Sequence, residues 1–181
     1  MTAQQLIISG VGGQGILFIT RLLAETAIKA GLPVLTSETH GMAQRGGVVI
    51  SHLKVGSFTS PLVRPGQADC LLTLKSETIA LHSHFLRTGG WITVNALSFP
   101  AEAAGFSTVT IDADSIALSL GNPQAVNLIV LGRALATPGR LFCSAEEVMA
   151  VIRKKLIDKP ALLERSLAAF REGLYNNGGE L

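Results

Sequence analysis

The first residues able to do chemistry form a glycine-rich run near the start of the chain, Gly10-Val11-Gly12-Gly13-Gln14-Gly15. It contains the Gly-x-Gly-x-x-Gly pattern after an apolar stretch and before a helical one, which is the context that a phosphate-binding loop requires. Glycines permit the tight turn and let backbone amides approach a pyrophosphate at the positive end of the following helix. The predicted cofactor-binding residues here are Gly10, Gly12, Gly13, Gln14 and Gly15. The alternative is a tight strand-to-helix turn that binds nothing.

A second glycine-rich run follows, His40-Gly41-Met42-Ala43-Gln44-Arg45-Gly46-Gly47. Arg45 is a candidate ligand-binding residue, because a planar guanidinium suits phosphate or carboxylate, and Gly46 and Gly47 allow close backbone approach. Its alternative role is an ion pair at a subunit interface, where arginine is enriched. No catalytic residue is assigned beyond the candidate His40, a residue type suited to proton transfer, although a histidine is more often a hydrogen-bonded structural group.

An acidic residue, Glu38, lies at the end of the second predicted strand. In a dinucleotide-binding fold, an acid at that place meets a ribose hydroxyl. Glu38 is therefore a further candidate cofactor-binding residue. A conventional NAD site is compatible with these residues taken alone.

Several common chemistries have no motif in this sequence. There is no Gly-x-Ser-x-Gly elbow, no Gly-Lys-Ser/Thr phosphate loop and no His-Glu-x-x-His pair, which argues against hydrolase, P-loop and zinc-protease functions. The other histidines show no metal-ligand spacing, and two distant cysteines cannot build a zinc site or an iron–sulfur cluster by themselves. No metal site is predicted, and Cys70 is interpreted as a small core residue.

Composition points to a partner. The charged fraction is 15%, against roughly 25% in average soluble domains, so another subunit is expected to cover part of the surface. A compact monomer rich in alanine and glycine is the alternative. The net charge of +2 is too small to indicate nucleic-acid binding, and the cluster Arg153-Lys154-Lys155 is interpreted as a solvated helix face. No apolar run reaches the roughly 18 residues that span a bilayer, and the N-terminus lacks the cationic start of a signal peptide, so we expect a cytoplasmic chain without membrane contact.

The periodicity predicts an α/β chain, with a Rossmann-like three-layer fold, a mostly parallel central sheet and flanking helices. Residues 5–9 read as a central parallel strand, and residues 33–37 as the second strand of a right-handed βαβ unit. Further strands are predicted at 48–55, 69–74, 91–95 and 108–111. Helices are predicted from residue 15 to Gly31, within 75–86 with an end near Gly89-Gly90, and at 125–136, 144–155 and 160–175. A further helix follows Asp112 or Asp114, either of which can cap it, and Ser144 with Glu147 forms a capping box at the start of the helix at 144–155. One domain spans residues 1–175, and residues 176–181 are a disordered tail.

Together, the two glycine-rich runs, with Asn127 and Leu131-Gly132 later in the chain, resemble the gamma-type subunit or domain of 2-oxoacid:ferredoxin oxidoreductases. The His-Gly-Met-Ala-Gln-Arg-Gly-Gly version is most similar to the small (beta) subunit of the indolepyruvate branch of that family. Asn127, on an apolar helix, needs a partner if buried and is expected to tie that helix to a neighbouring loop.

The resemblance implies a subunit that works inside a larger assembly and is inactive alone. In that family a 2-oxoacid is oxidatively decarboxylated on thiamine diphosphate, electrons leave through iron–sulfur clusters to ferredoxin, and the acyl group passes to coenzyme A. This chain lacks a Gly-Asp-Gly…Asn-Asn thiamine motif. Thiamine diphosphate and the clusters are therefore expected on a larger partner subunit, and coenzyme A at the glycine loop. A free-standing dinucleotide-binding domain, either an NAD(P)-linked enzyme or a ligand sensor, is the alternative.

Overall fold

The computed structural model of the chain describes residues 3–40 and 47–176. Within these ranges the strands are β1 (Gln4–Val11), β2 (Val34–His40), β3 (Val48–Val55), β4 (Ala68–Thr73), β5 (Leu86–Asn95) and β6 (Ser107–Ile111). The α-helices are α1 (Ile16–Lys29), α2 (Ile79–His82), α3 (Ala113–Ser119), α4 (Val126–Leu135), α5 (Ala145–Lys155) and α6 (Pro160–Tyr175). The predicted tail, 176–181, lies outside the described residues except for Asn176.

The strands form one sheet in the order β2-β3-β1-β4-β5-β6. The β1/β4, β4/β5 and β5/β6 pairs are parallel, whereas β3 is antiparallel to both of its neighbours, β1 and β2. Five of the six described strands therefore point the same way, and the prediction of an α/β fold with a mostly parallel sheet is confirmed.

The predicted βαβ unit is present, since β2, the strand predicted at 33–37, runs parallel to β1. The sheet places β3 between them, antiparallel to both. One detail of the predicted arrangement is wrong. The helix predicted within 75–86 is a string of short pieces, α2 between two 3₁₀ turns, and β5 already begins at Leu86. Gly89-Gly90 lies inside β5, where the pairing with β4 shifts register, and does not end a helix.

Local signals placed the longer helices correctly. Ser144 caps α5 and forms a capping box with Glu147, while Pro160 occupies the first turn of α6. Asp112 caps α3 through a hydrogen bond from the Ser115 amide. None of the described helices is long and apolar enough to cross a membrane.

The larger part of the core lies on one face of the sheet, where α1, α4, α5 and α6 pack. Every residue of α4 is buried, so the helix is enclosed by the sheet and by α6. The two helices approach closely at Gly132 and Gly173, where a Cβ on either glycine would overlap backbone of the other helix. The opposite face carries a smaller core under α2 and the neighbouring 3₁₀ turns.

Candidate functional site

The glycine loop joins the end of β1 to the start of α1. Gly10 is buried in β1, and a Cβ there would lie 2.6 Å from Gln14 Oε1 and 3.2 Å from Leu74 Cβ. Gly13 and Gly15 have φ angles of 94° and 79°, a region that side chains disfavour. Gly12 and Gly13 are exposed. A side chain is thus excluded at position 10 by close packing, and disfavoured at positions 13 and 15 by the backbone conformation.

The Gln14 side chain closes the loop from inside. Its Oε1 accepts a hydrogen bond of 2.9 Å from the Val11 amide, and its Nε2 donates one of 3.3 Å to the Leu74 carbonyl. The predicted binding residue Gln14 therefore joins the end of β1 to the end of β4. The Gln14 backbone amide is also engaged, since it donates a 3.2 Å hydrogen bond to the Val11 carbonyl.

Hydrogen-bond donors remain at the helix end of the loop. Gly15 is the N-cap of α1 and supplies no side chain, and the first turn contains no acidic residue. Within the described ranges, no acceptor lies within hydrogen-bonding distance of the amides of Gly13, Gly15 or Ile16. Open amides at the start of a 14-residue helix favour an anion.

A cavity of about 430 Å³ opens beside these amides. Its wall includes Gly12, Gly13, Gly15, Val49 and the first turns of α1, with Arg21 and Lys155 as the two charged members. Lys155 is paired with Glu25, whereas no described carboxylate lies within 4.0 Å of Arg21. The cavity combines backbone donors with positive charge, which suits a phosphate-bearing ligand.

Sequence reasoning missed both cations, because α1 and α5 converge on the loop from distant parts of the chain. Lys155 was interpreted as part of a solvated helix face, and it is indeed exposed. The available signal was Arg21, the first charged residue of the helix that follows the glycine loop.

The start of β3 brings the second glycine-rich run to the first. The Gly12 amide donates a 2.9 Å hydrogen bond to the Gly47 carbonyl, and His40 pairs with Val49 across β2 and β3. The two ends of the second run, His40 and Gly47, therefore lie at the same edge of the sheet as the glycine loop. Of the candidates in the second run, Arg45 and Gly46 lie outside the described residues, as does the His40 side chain.

Glu38 is separated from the glycine loop by a strand. It pairs with Ser51 of β3, which in turn pairs with Ile8 of β1, so two strand spacings, about 10 Å, lie between Glu38 and β1. Glu38 does not line the glycine-loop cavity. In a dinucleotide fold the acidic residue follows the strand adjacent to the glycine loop, and here β3 takes that place.

Asn127 connects α4 to the loop, as expected from the sequence. Its Nδ2 donates to the Gly15 carbonyl at 3.4 Å, and its Oδ1 accepts from the Leu128 amide at 2.7 Å. A Cβ at Gly15 would overlap Asn127 Nδ2. The loop is therefore fixed both by its own glutamine and by the core helix.

The described residues offer no metal centre, since nowhere in them do three His, Cys, Asp or Glu side chains gather to hold an ion. Burial raises the pKa of Cys70 well above its usual range and that of Cys143 to about 12. Both cysteines are buried thiols.

The fold and the site define an α/β protein of Rossmann-like architecture with a glycine loop at the carboxyl edge of its sheet. The chain belongs to the pyruvate ferredoxin/flavodoxin oxidoreductase family, whose sequence model matches residues 5–175. It is 31% identical to the indolepyruvate oxidoreductase subunit IorB of Pyrococcus horikoshii, with 96% of each chain covered. The resemblance found in the two glycine-rich runs is thereby confirmed.

Solved structures agree with this assignment. The gamma subunit of a keto/oxoacid ferredoxin oxidoreductase from Geobacter sulfurreducens matches with a TM-score of 0.75 and 26% identity, covering 94% of this chain and 96% of that one. The fold is also that of part of the 2-oxoglutarate:ferredoxin oxidoreductase from Magnetococcus marinus, solved with 2-oxoglutarate, coenzyme A and succinyl-CoA bound. That match has a TM-score of 0.79 and 19% identity, and covers 96% of this chain and 30% of that one.

Proposed function

We propose that this chain is the small subunit of a 2-oxoacid:ferredoxin oxidoreductase of the indolepyruvate type. One observation carries the proposal: the similarity to an indolepyruvate oxidoreductase subunit extends over 96% of both chains. The proposed complex oxidatively decarboxylates an arylpyruvate, forms the acyl-CoA and passes electrons to ferredoxin in the cytoplasm.

The division of labour follows from what this chain contains. Thiamine diphosphate would supply the decarboxylation chemistry and iron–sulfur clusters the electron path, but the described residues do not fit either group. Cys70 and Cys143 are buried and lie far apart in the sequence, and no motif for thiamine diphosphate is present. We therefore assign both groups to a larger partner subunit, which also contacts ferredoxin.

We assign coenzyme A to the glycine loop of this chain. The open amides of Gly13, Gly15 and Ile16 would receive the pyrophosphate, and Arg21 would add a charge-assisted hydrogen bond from the cavity wall. Arg45, Gly46 and Gly47 would approach the same ligand or the partner subunit from the second run. The role of this chain is then to hold and orient the acyl acceptor.

The structure and the family match argue against the alternative of a free-standing dinucleotide-binding domain. Strand β3 separates Glu38 from the glycine loop, so this acid does not occupy the ribose-binding position of such a domain. The family match covers nearly the whole chain.

Coexpression with a larger chain that carries a thiamine motif and ferredoxin-like cysteine runs tests the proposal. The purified complex should reduce a viologen dye in the presence of coenzyme A, faster with indolepyruvate or phenylpyruvate than with pyruvate or 2-oxoglutarate. Each chain assayed alone should be inactive. Failure to copurify, or full activity of the larger chain alone, would show that the assignment is wrong.

The Arg45→Ala variant of the same complex tests the second run. We expect weaker use of coenzyme A or weaker assembly without unfolding of this chain, because the sequence places Arg45 in no predicted strand or helix. Normal assembly together with an unchanged coenzyme A dependence would remove Arg45 from the site.

A further inference from the structure

A buried lysine lies at the end of the sheet opposite the glycine loop. Lys54 belongs to β3 and pairs with Gln5 at the start of β1, whereas the glycine loop follows the other end of β1. Only 7% of Lys54 is exposed. Lysine is almost never buried to this degree without a partner of opposite charge.

Lys54 lacks that partner among the described residues. No carboxylate in residues 3–40 or 47–176 lies within 4.0 Å of its ammonium or of the Arg64 guanidinium. Asp69 is engaged elsewhere, since its two oxygens accept from Arg87 Nε and the Gln5 amide, each at 2.7 Å. The contact found for Lys54 Nζ is the Phe58 ring, with the centroid 4.9 Å away.

A second cation adds to the positive potential. The pKa of Lys54 is lowered from its ordinary value, first by burial and then by the charge of Arg64. A cation–π contact stabilises an ammonium only modestly, so two neighbouring cations without a counter-charge are unfavourable in the unliganded chain.

Both cations face one cavity of about 430 Å³. The remaining lining residues are Gln5, Phe58, Pro65 and Gln67. The cavity thus combines two positive charges and two amide side chains with an aromatic wall. Such a set of donors complements an oxyanion, which accepts several charge-assisted hydrogen bonds.

We infer that the cavity formed by Lys54, Arg64, Gln5 and Gln67 binds an oxyanion, either a phosphate group or a carboxylate. The bound anion supplies the counter-charge that the described residues do not place there. This site is separate from the glycine loop and independent of the function proposed above. Lys54 and Arg64 provide the charge, and Phe58 packs against the ligand body.

Nuclear magnetic resonance of the full chain, labelled with ¹³C-lysine, tests the site directly. The Lys54 signal is identified by its loss in Lys54→Met, and sodium phosphate is titrated against sodium chloride at equal ionic strength. We expect a saturable shift of the Lys54 signal with phosphate, and a rise of its pKa toward the ordinary value. Arg64→Gln should weaken phosphate binding about tenfold, as expected for loss of one charge-assisted hydrogen bond. Arg21→Gln, at the glycine loop, is the matched control and should leave the Lys54 response unchanged.

A parallel titration with acetate distinguishes the two sources of the anion. Tighter phosphate binding assigns the site to a phosphorylated ligand, whereas tighter acetate binding assigns it to a carboxylate. A Lys54 signal that responds to phosphate and acetate no more than to chloride overturns the inference.

Thermal unfolding gives an independent measurement. In chloride buffer Lys54→Met should raise the Tm, because it removes an uncompensated buried charge and keeps the apolar stem beside Phe58. Phosphate should raise the Tm of the unmodified chain more than that of Lys54→Met, since binding to the folded state stabilises it. An equal gain from phosphate in the two proteins contradicts the site.

Discussion

Asn127 of the buried helix α4 donates its side-chain amide to the Gly15 carbonyl, 3.4 Å away, and so holds the end of the glycine loop. The same side chain accepts a hydrogen bond from the Leu128 amide. Because every residue of α4 is buried, this hydrogen bond anchors the end of the loop to a core helix. The candidate anion site is thereby held in place before any ligand binds.

Removing the Asn127 side chain should loosen the loop without unfolding the chain. We expect Asn127→Ala to lower the free energy of unfolding by about 1 kcal/mol, the usual net value of one hydrogen bond. Urea denaturation measures this, and Gln124→Ala, an exposed position in the preceding turn, serves as the control. Equal effects of the two substitutions would show that the bond to Gly15 contributes nothing.

Gly15 should be the least tolerant glycine of the loop. Gly13→Ala suffers only from its left-handed backbone, because nothing lies within 4 Å of the added Cβ, and we expect a cost of about 1–2 kcal/mol. Gly15→Ala adds an overlap with Asn127 and should cost more. In a double-mutant cycle, Asn127→Ala should recover part of the loss in Gly15→Ala. Strictly additive losses would contradict the packing of these two residues.

The close contact between α4 and α6 predicts that a side chain added at Gly173 destabilises the core. Gly173→Ala places a Cβ into the Ile129 carbonyl, so the helices must separate, at an expected cost of about 3 kcal/mol. Glu172→Ala, exposed on the same helix, should change the unfolding free energy by less than about 0.5 kcal/mol. Urea denaturation compares the two, and similar stabilities would mean that the crossing can relax.

Local signals explain which features the sequence could predict. The N-caps Asp112 and Ser144 and the first-turn residue Pro160 act within one helical turn. The starts of α3, α5 and α6 could therefore be predicted without tertiary information. Strand pairing is not local. The alternation in 48–55 predicted β3 with its correct ends, but nothing in that pattern specifies insertion between β1 and β2.

In the candidate site, too, the residues with local signals were predicted and those that depend on packing were not. The loop glycines and the role of Asn127 were predicted because each residue type has few physical uses in its context. Arg21 and Lys155 were missed, since their convergence depends on how α1 and α5 pack. Lys54 was missed because an alternating strand gives a charged residue no reason to be buried.

Two buried histidines predict loss of stability in mild acid. Burial lowers the pKa of His52, with a further contribution from Lys54, and lowers that of His82, with contributions from His84 and His52. His52 Nδ1 accepts from the Val63 amide at 3.2 Å, and His82 Nδ1 lies 2.7 Å from Ser9 Oγ.

Below the ordinary histidine pKa of 6.5, these two histidines are protonated in the unfolded chain but stay neutral in the folded chain until the pH reaches their lowered pKa values. Stability should therefore be complete above that pH and decline as the pH falls toward the lower pKa values of the folded state. Urea midpoints between about pH 5.5 and 7.5 measure the decline. The His52→Asn/His82→Asn variant, whose side-chain amides can take the place of Nδ1 in the two hydrogen bonds, should show a flatter profile. An unchanged slope in that variant would assign the acid sensitivity to other groups.

Arg21 provides the sharpest test of the glycine loop. It is exposed, lines the cavity beside the open amides of Gly13 and Gly15, and is not paired with any described carboxylate. Since a hydrogen bond to a charged group contributes about 1.5–3 kcal/mol, Arg21→Gln should raise the KM for coenzyme A roughly tenfold or more.

Arg21 is expected to bind coenzyme A equally in the ground and transition states, so in the coexpressed complex kcat and the KM for the 2-oxoacid should change little. Arg171→Gln removes the same charge from an exposed position on α6 that lines none of the described cavities. It should leave all three constants unchanged. If both variants raised the KM for coenzyme A equally, the effect would come from net charge, and the glycine loop would lose its assignment as the coenzyme A site. If only Arg21→Gln raises the KM for coenzyme A, then Arg21 binds coenzyme A in the cavity beside the open amides, the described cavity that Arg21 lines.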